Sequence, residues 1–258
     1  MRRLHRNNLM PPATWAPLVV KSFADHAVFL QAAEAFERLD VNSAERRAGF
    51  IAFVKQQGFG CFRVSARGKV EFKNLWGKAK EAIAKMSDLK CAYCEGGINA
   101  SRAGQVEHFL PKSLFPRSAY DWNNYFLGCA GCNGAKSDKW PNNGNAYLRP
   151  DEGLPEAEFQ FAKDGTVALS GTASGAAAET LRDFDLNRKW LVRRRRTHIR
   201  KSVEALTDLF EVYELDATVA QRLIGNHLQR LAAAENAYSV ALQQCASAEW
   251  EAFRSSRV

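Results

Sequence analysis

Apolar residues recur at helical spacing over much of the chain. Phe29, Ala32, Ala33, Phe36 and Leu39 fall on one face, and Phe50, Phe53 and Val54 follow Asn42-Ser43, a pair suited to a helix N-cap. Residues 25–57 therefore predict helix in two pieces. Residues 74–88 predict another, with Leu75, Ala79, Ala82, Ile83 and Met86 on one side and Lys78, Lys80 and Lys85 mostly elsewhere. Further on, Val192, Ile199, Val203, Leu206, Phe210 and Tyr213 recur at steps of 7, 4, 3, 4 and 3. Leu223, Leu228, Leu231, Tyr238, Leu242 and Cys245 form a looser stripe, interrupted at its start by Gly225. Together these predict two long helices over 186–254.

The stretches between read differently. Residues 1–20 carry Pro11, Pro12 and Pro17 with little periodicity, which predicts an extended arm. Residues 58–73 hold Gly58, Gly60 and Gly68 and predict loop with a short hairpin. Residues 141–180 are rich in Pro, Gly and small residues and predict an irregular connection. Within it, Phe159-Gln160-Phe161 and Thr166-Val167-Ala168-Leu169 flank a turn at Lys163-Asp164-Gly165, a hairpin pattern. Four segments result: a basic arm and helical region (1–90), a turn-rich core (91–140), the irregular connection (141–185) and a helical tail (186–258). The fold class is α+β, mostly helical, with the small core set between helical flanks.

With 258 residues, 46% hydrophobic and 25% charged, the composition is that of a globular protein able to bury a core without disulfide staples. No apolar run approaches the roughly 20 residues of a membrane helix. No export signal follows the basic N-terminus, so a cytoplasmic protein is expected. The net charge of +8 suggests a polyanionic partner. Its distribution adds more: residues 1–90 hold 16 Lys/Arg against 8 Asp/Glu, whereas 151–258 hold 14 against 16.

The chemistry concentrates in residues 91–140. Cys91 and Cys94 form one C-x2-C pair and Cys129 and Cys132 another, with 34 residues between the pairs. Each such turn offers two thiolates to one ion, and two turns close a tetrahedral site with no open position. In a chain without an export signal this reads as structural zinc, against the alternatives of buried thiols or a redox pair. Cys61 and Cys245 read as small apolar packing groups. Between the pairs lies Glu107-His108, on a short predicted strand over 105–109, where neighbours point to opposite faces. Separate roles are expected: His108 as a general base, Glu107 reaching a metal or its waters.

C-x2-C, Glu-His-x-x-Pro, Asn-x-x-Leu and C-x2-C-Asn-x-x-Lys, in this order, resemble the HNH nucleases over about 50 of the 258 residues. The resemblance implies a ββα-metal core. In it His108 deprotonates the water that attacks phosphorus, and Glu107 and Asn133 hold one divalent cation, Mg²⁺ or Mn²⁺. Asn124 is the central Asn that orients the base's loop, with Asn123 the neighbouring candidate, and Lys136 contacts phosphate. Two departures stand out. Asn133 occupies the place of a second His, as in many members, and Glu107 is one methylene longer than the Asp often found before the base.

Arg193 to Arg196 with Arg200 and Lys201 place six cations in nine residues. They read either as a ridge that tracks phosphates, with Arg193, Arg194 and Arg196 in contact, or as a solvated helix face. Arg195 and Arg196 fall on or beside the apolar stripe. Trp122, Trp140 and Tyr125 read as packing around the core rather than as base-stacking platforms. The order of basic arm, zinc-type core and helical tail opening at Leu186-Asn187-Arg188 resembles the HNH partner proteins of retron and Septu-type bacterial defence systems. That resemblance implies an anti-phage effector working beside an ATPase subunit on nucleic acid, DNA ahead of RNA. The alternative is a module that binds nucleic acid or a partner without catalysis.

Overall fold

A computed structural model describes residues 1, 3–4, 13, 15–22, 26–38, 44–57, 62–64, 66, 70–98, 104–142, 144–233 and 236–257. Leu39, Asn42, Ser43, Cys61, Gly58, Gly60 and Gly68, named above, lie outside them, as do Pro11 and Pro12. The side chains of Ala32, Phe36 and Phe53 do too.

Helices α1 (Trp15–Ser22), α2 (His26–Glu37) and α3 (Ala44–Gln57) precede a hairpin of β1 (Phe62–Val64) and β2 (Val70–Phe72). The two-piece helix and the short hairpin match the expectation. Phe29 and Phe50 meet edge to face at 6.1 Å between them. The extended arm needs correction: part of it is α1. Pro17 falls in the first helical turn, where its missing N–H leaves no bond unmade. Burial of Trp15 decides the rest. Its indole N–H donates to the Tyr120 carbonyl at 3.2 Å, and its ring packs edge-on to Trp122 and Tyr125.

A 3₁₀ turn (Trp76–Ala79) runs into α4 (Lys80–Met86), inside the helix expected at 74–88. The core follows. Strands β3 (Gln105–His108) and β4 (Tyr125–Gly128) pair antiparallel with Glu107 opposite Phe126, and α5 (Ala130–Lys136) follows β4 directly, giving a ββα unit. β4 is buried along its whole length, so this small sheet is covered on both faces. Trp122, Tyr125 and Phe126 are buried within it, and Trp140 is half-buried.

The expected hairpin is present as β5 (Phe159–Phe161) and β6 (Val167–Leu169), followed by α6 (Gly175–Asp183). The tail is α7 (Lys189–Leu215), α8 (Ala217–Leu231) and α9 (Ser239–Ser255). The long helix expected first matches α7, with Ile199 and Leu206 buried. The one expected second is divided between α8 and α9, and Gly225 sits inside α8 rather than at a break. The division has a tertiary cause. Tyr238 adopts a left-handed φ of 61°; its N–H donates to the Glu95 carbonyl at 3.1 Å. The Glu95 carboxylate then accepts from the Val240 N–H at 3.2 Å, closing the N-terminus of α9. One apolar core includes residues of all four segments, from Trp15 through Tyr93 and Phe159 to Cys245. Among the described residues no helix is long and apolar enough to cross a membrane.

Candidate functional site

Cys91 and Cys94 lie in the turn after α4, held to β4 by the Ala92 N–H bond to the Leu127 carbonyl at 2.9 Å. Cys129 is the N-cap of α5 and accepts from the Cys132 N–H at 3.4 Å. The four sulfurs lie within 4.8 Å of one another, so the cluster can hold a metal ion. Its dimensions fit zinc. Zn–S bonds of about 2.3 Å in a tetrahedron put sulfurs about 3.8 Å apart, and Cys94 Sγ and Cys129 Sγ are 3.8 Å apart. Cys245 is a buried free thiol away from the cluster.

The tail supplies a counter-charge that the sequence did not announce. Arg188 Nη2 donates to Cys132 Sγ at 3.2 Å and to Cys129 Sγ at 3.6 Å, and Trp190 stacks on the guanidinium at 4.5 Å. Gly131 makes this approach available: a Cβ there would lie 2.7 Å from the Trp190 ring and 3.0 Å from the Arg188 guanidinium. Leu186-Asn187-Arg188 therefore reaches the cluster itself.

Beside the cluster opens a cleft of about 790 Å³, lined by Trp76, Lys80, Glu107, His108, Lys112 and Asn133 among others. His108 ends β3. Its Nε2 lies 3.0 Å from the Ala119 carbonyl, an acceptor-only oxygen, so Nε2 carries the proton and Nδ1 the lone pair. Nδ1 makes no hydrogen bond to a described residue. Trp76 and Tyr125 pack edge-on to the imidazole at 4.7 and 5.1 Å. Burial, and then the nearby Lys112 ammonium, push its pKa down to about 3. The ring is therefore neutral throughout the neutral range.

Glu107 lines the same cleft but is almost wholly buried. It and Lys136 are each 1% exposed. Lys136 Nζ donates to Glu107 Oε1 at 2.5 Å and to the His108 carbonyl at 2.6 Å. The Tyr93 hydroxyl donates to the other carboxylate oxygen. Glu107 also pushes the Tyr93 phenol well above its ordinary pKa, after burial itself.

Asn124 is buried and ties down the loop after His108. Its Oδ1 accepts from the Leu110 N–H at 2.7 Å, and its Nδ2 donates to the carbonyls of Leu110 at 3.0 Å and Ser118 at 2.9 Å. Asn123 is exposed and touches this loop with none of its side-chain atoms in the described hydrogen bonds, so the geometry of the central position belongs to Asn124. Asn133, in the first turn of α5, donates from Nδ2 to Gln105 Oε1 at 2.6 Å.

The cation expected on Glu107 and Asn133 does not fit this arrangement. Both Glu107 oxygens already accept bonds, and an ammonium stands at the carboxylate where a divalent cation would have to bind. For the same reason Lys136 is not presented to a phosphate, contrary to what the family resemblance implies. Of the basic run, Arg193 and Arg196 are exposed on α7 and Arg194 is half-buried. Arg195 is buried, donating to the carbonyls of Gly165 at 2.6 Å and Leu186 at 3.2 Å. The residues that sequence reasoning passed over are Tyr93, Lys112 and Trp76; Arg188 was named only as part of the tail's opening. Tyr93 sits between Cys91 and Cys94, inside a motif that drew attention, and Lys112 directly follows Pro111, just beyond another.

No family model matches the chain. Two curated relatives do. The chain is 42% identical over 66 residues to the Septu protein PtuB of Bacillus thuringiensis, covering 24% of this chain and 26% of the relative. It is 26% identical over 154 residues to the Septu protein PtuB of Bacillus mycoides (strain KBAB4), covering 48% of this chain and 52% of the relative. The chain thus spans about a quarter and about half of the lengths of these relatives.

Proposed function

We propose that this chain is a nuclease effector of a Septu-type bacterial anti-phage defence system, hydrolysing nucleic-acid phosphodiester bonds in the cleft beside His108. The similarity to the two PtuB proteins supports the defence role. The observation that carries the chemistry is His108: a neutral imidazole on the cleft wall, with its Nε2 proton committed to the Ala119 carbonyl.

In this reading His108 Nδ1 takes the proton of a water as the water oxygen attacks phosphorus. The bond from phosphorus to the departing sugar oxygen breaks, and that oxygen leaves with a proton from solvent. An anionic phosphate beside the ring raises its pKa from the depressed value towards neutrality, which strengthens it as a base. Asn124 fixes the loop that carries the base. Zinc, when bound by Cys91, Cys94, Cys129 and Cys132, cross-links the start of the ββα unit to its end. Arg193, Arg194 and Arg196 supply the long-range attraction to the backbone, and the ATPase subunit implied by the defence resemblance supplies the trigger.

A second reading has its own observation. Glu107 is closed off by Lys136 and Tyr93, which suits a zinc-containing module that grips nucleic acid without cutting it. The test is cleavage of supercoiled plasmid and of total RNA with Mg²⁺, with Mn²⁺ and with EDTA. Cutting that is lost in His108→Ala supports the nuclease and names its substrate. Salt-sensitive binding without cutting, with the ATPase subunit present, supports the second reading.

A further inference from the structure

The cleft wall at His108 carries a cation that no described group neutralises. Lys112 lies two residues beyond Leu110, whose backbone Asn124 clamps, so its Cα is held by the same loop as the base. Its Nζ lies 5.1 Å from the centre of the Trp76 ring, and that ring packs edge-on to the His108 imidazole at 4.7 Å. One aromatic side chain therefore places the ammonium and the imidazole on a common wall.

The charges around it have been allotted. Glu107 and Asp138 are the carboxylates that attract Lys112, and Lys136 is the cation that opposes it. Glu107 is bound to Lys136 and Tyr93. Asp138, exposed at the cleft edge, makes no ion pair with Lys112. Lys112 makes no hydrogen bond or salt bridge to any described residue. Lys80, on α4, also lines the cleft but is exposed at its rim.

We propose that Lys112 anchors the phosphate to be cut, as a backbone-phosphate contact set beside His108 by Trp76. The family resemblance implied this role for Lys136, but Lys136 is buried and bound to Glu107. The ligand class is the phosphodiester backbone of nucleic acid, and the inference rests on the nuclease reading above. An ammonium held on an aromatic face keeps its donors turned outward, so an arriving phosphate oxygen meets a preset point charge. Such a contact is indifferent to base identity.

The test compares wild type with Lys112→Gln, Lys112→Arg and Lys85→Gln, an exposed lysine of α4 outside the cleft lining, all checked for unchanged zinc content and melting temperature. Binding of short labelled DNA and RNA oligonucleotides is followed by anisotropy in EDTA across a salt series, and cleavage by gel. Lys112→Gln is expected to weaken binding about tenfold and to lower the salt slope by about 0.9 on duplex. Lys112→Arg should keep most of the affinity, and Lys85→Gln should stay within about twofold of wild type. Wild-type affinity and salt slope in Lys112→Gln overturn the inference, as does an equal loss in Lys85→Gln. If wild type neither binds nor cuts nucleic acid, the nuclease reading itself fails, and this inference falls with it.

Discussion

Acid should loosen the protein through His108, by an amount the structure sets. The imidazole is held at about 3 in the folded chain, against an ordinary 6.5. Between those values the unfolded chain binds a proton that the native chain refuses, so stability rises with pH across that window. The contribution is complete above about pH 6.5 and is lost as the pH falls towards 3. At about pH 5 the loss is about 2 kcal/mol, from about 1.4 kcal/mol per unit. The perturbation is His108→Gln, which keeps a donor for the Ala119 carbonyl and removes the titration. The assay is urea unfolding of zinc-loaded wild type and variant at about pH 8 and about pH 5. Thiolate protonation and zinc loss act on both proteins alike and cancel in the difference. Wild type should lose about 2 kcal/mol more than the variant over this interval. Equal losses would show that His108 is not buried as a free base, and the argument for its readiness at neutral pH would fall.

Three further outcomes are expected. Lys136→Met leaves the Glu107 charge buried without its cation and should cost about 3–5 kcal/mol in urea unfolding, while adding Glu107→Gln should recover much of the loss. Asn124→Ala removes three hydrogen bonds to the loop at 110–118; it should cost about 2–3 kcal/mol and accelerate hydrogen exchange at the Leu110 amide, which unchanged exchange would contradict. Stripping zinc with a chelator, or Cys129→Ser, should unfold residues 91–136 and release the tail from Arg188 onward, read as protease sensitivity in both regions; resistance in both would remove the four-cysteine site.

What the sequence made legible was local. The two C-x2-C pairs, the strand before His108, the β5–β6 hairpin and the α7 stripe each depend on residues a few positions apart, where spacing carries the information. The rest is set by distant partners. Nothing near Lys136 says that it will pair with Glu107, 29 positions earlier, and so the residue expected at phosphate is inside the core. The break between α8 and α9 depends on Glu95, which bonds to Ser239 across 144 positions. Trp15 turns the end of the arm, Pro17 included, into a helix because Tyr120, Trp122 and Tyr125 receive it. Arg188 was noticed as the opening of the tail, but its hold on Cys129 and Cys132 appears only once the chain has folded back on itself.

The nuclease claim is tested most directly by the cutting rate of wild type against His108→Ala, with zinc content and melting temperature measured on the same preparations. Plasmid and total RNA would serve as substrates, with the ATPase subunit proposed as its partner both absent and present. The account predicts strand cleavage by wild type, in at least one of these mixtures, that His108→Ala lacks while keeping its zinc and its fold. Equal cleavage by both proteins would contradict the assignment of His108 as the base. No cleavage by wild type in any mixture, with nucleic acid nevertheless bound, would contradict catalysis and leave the binding module.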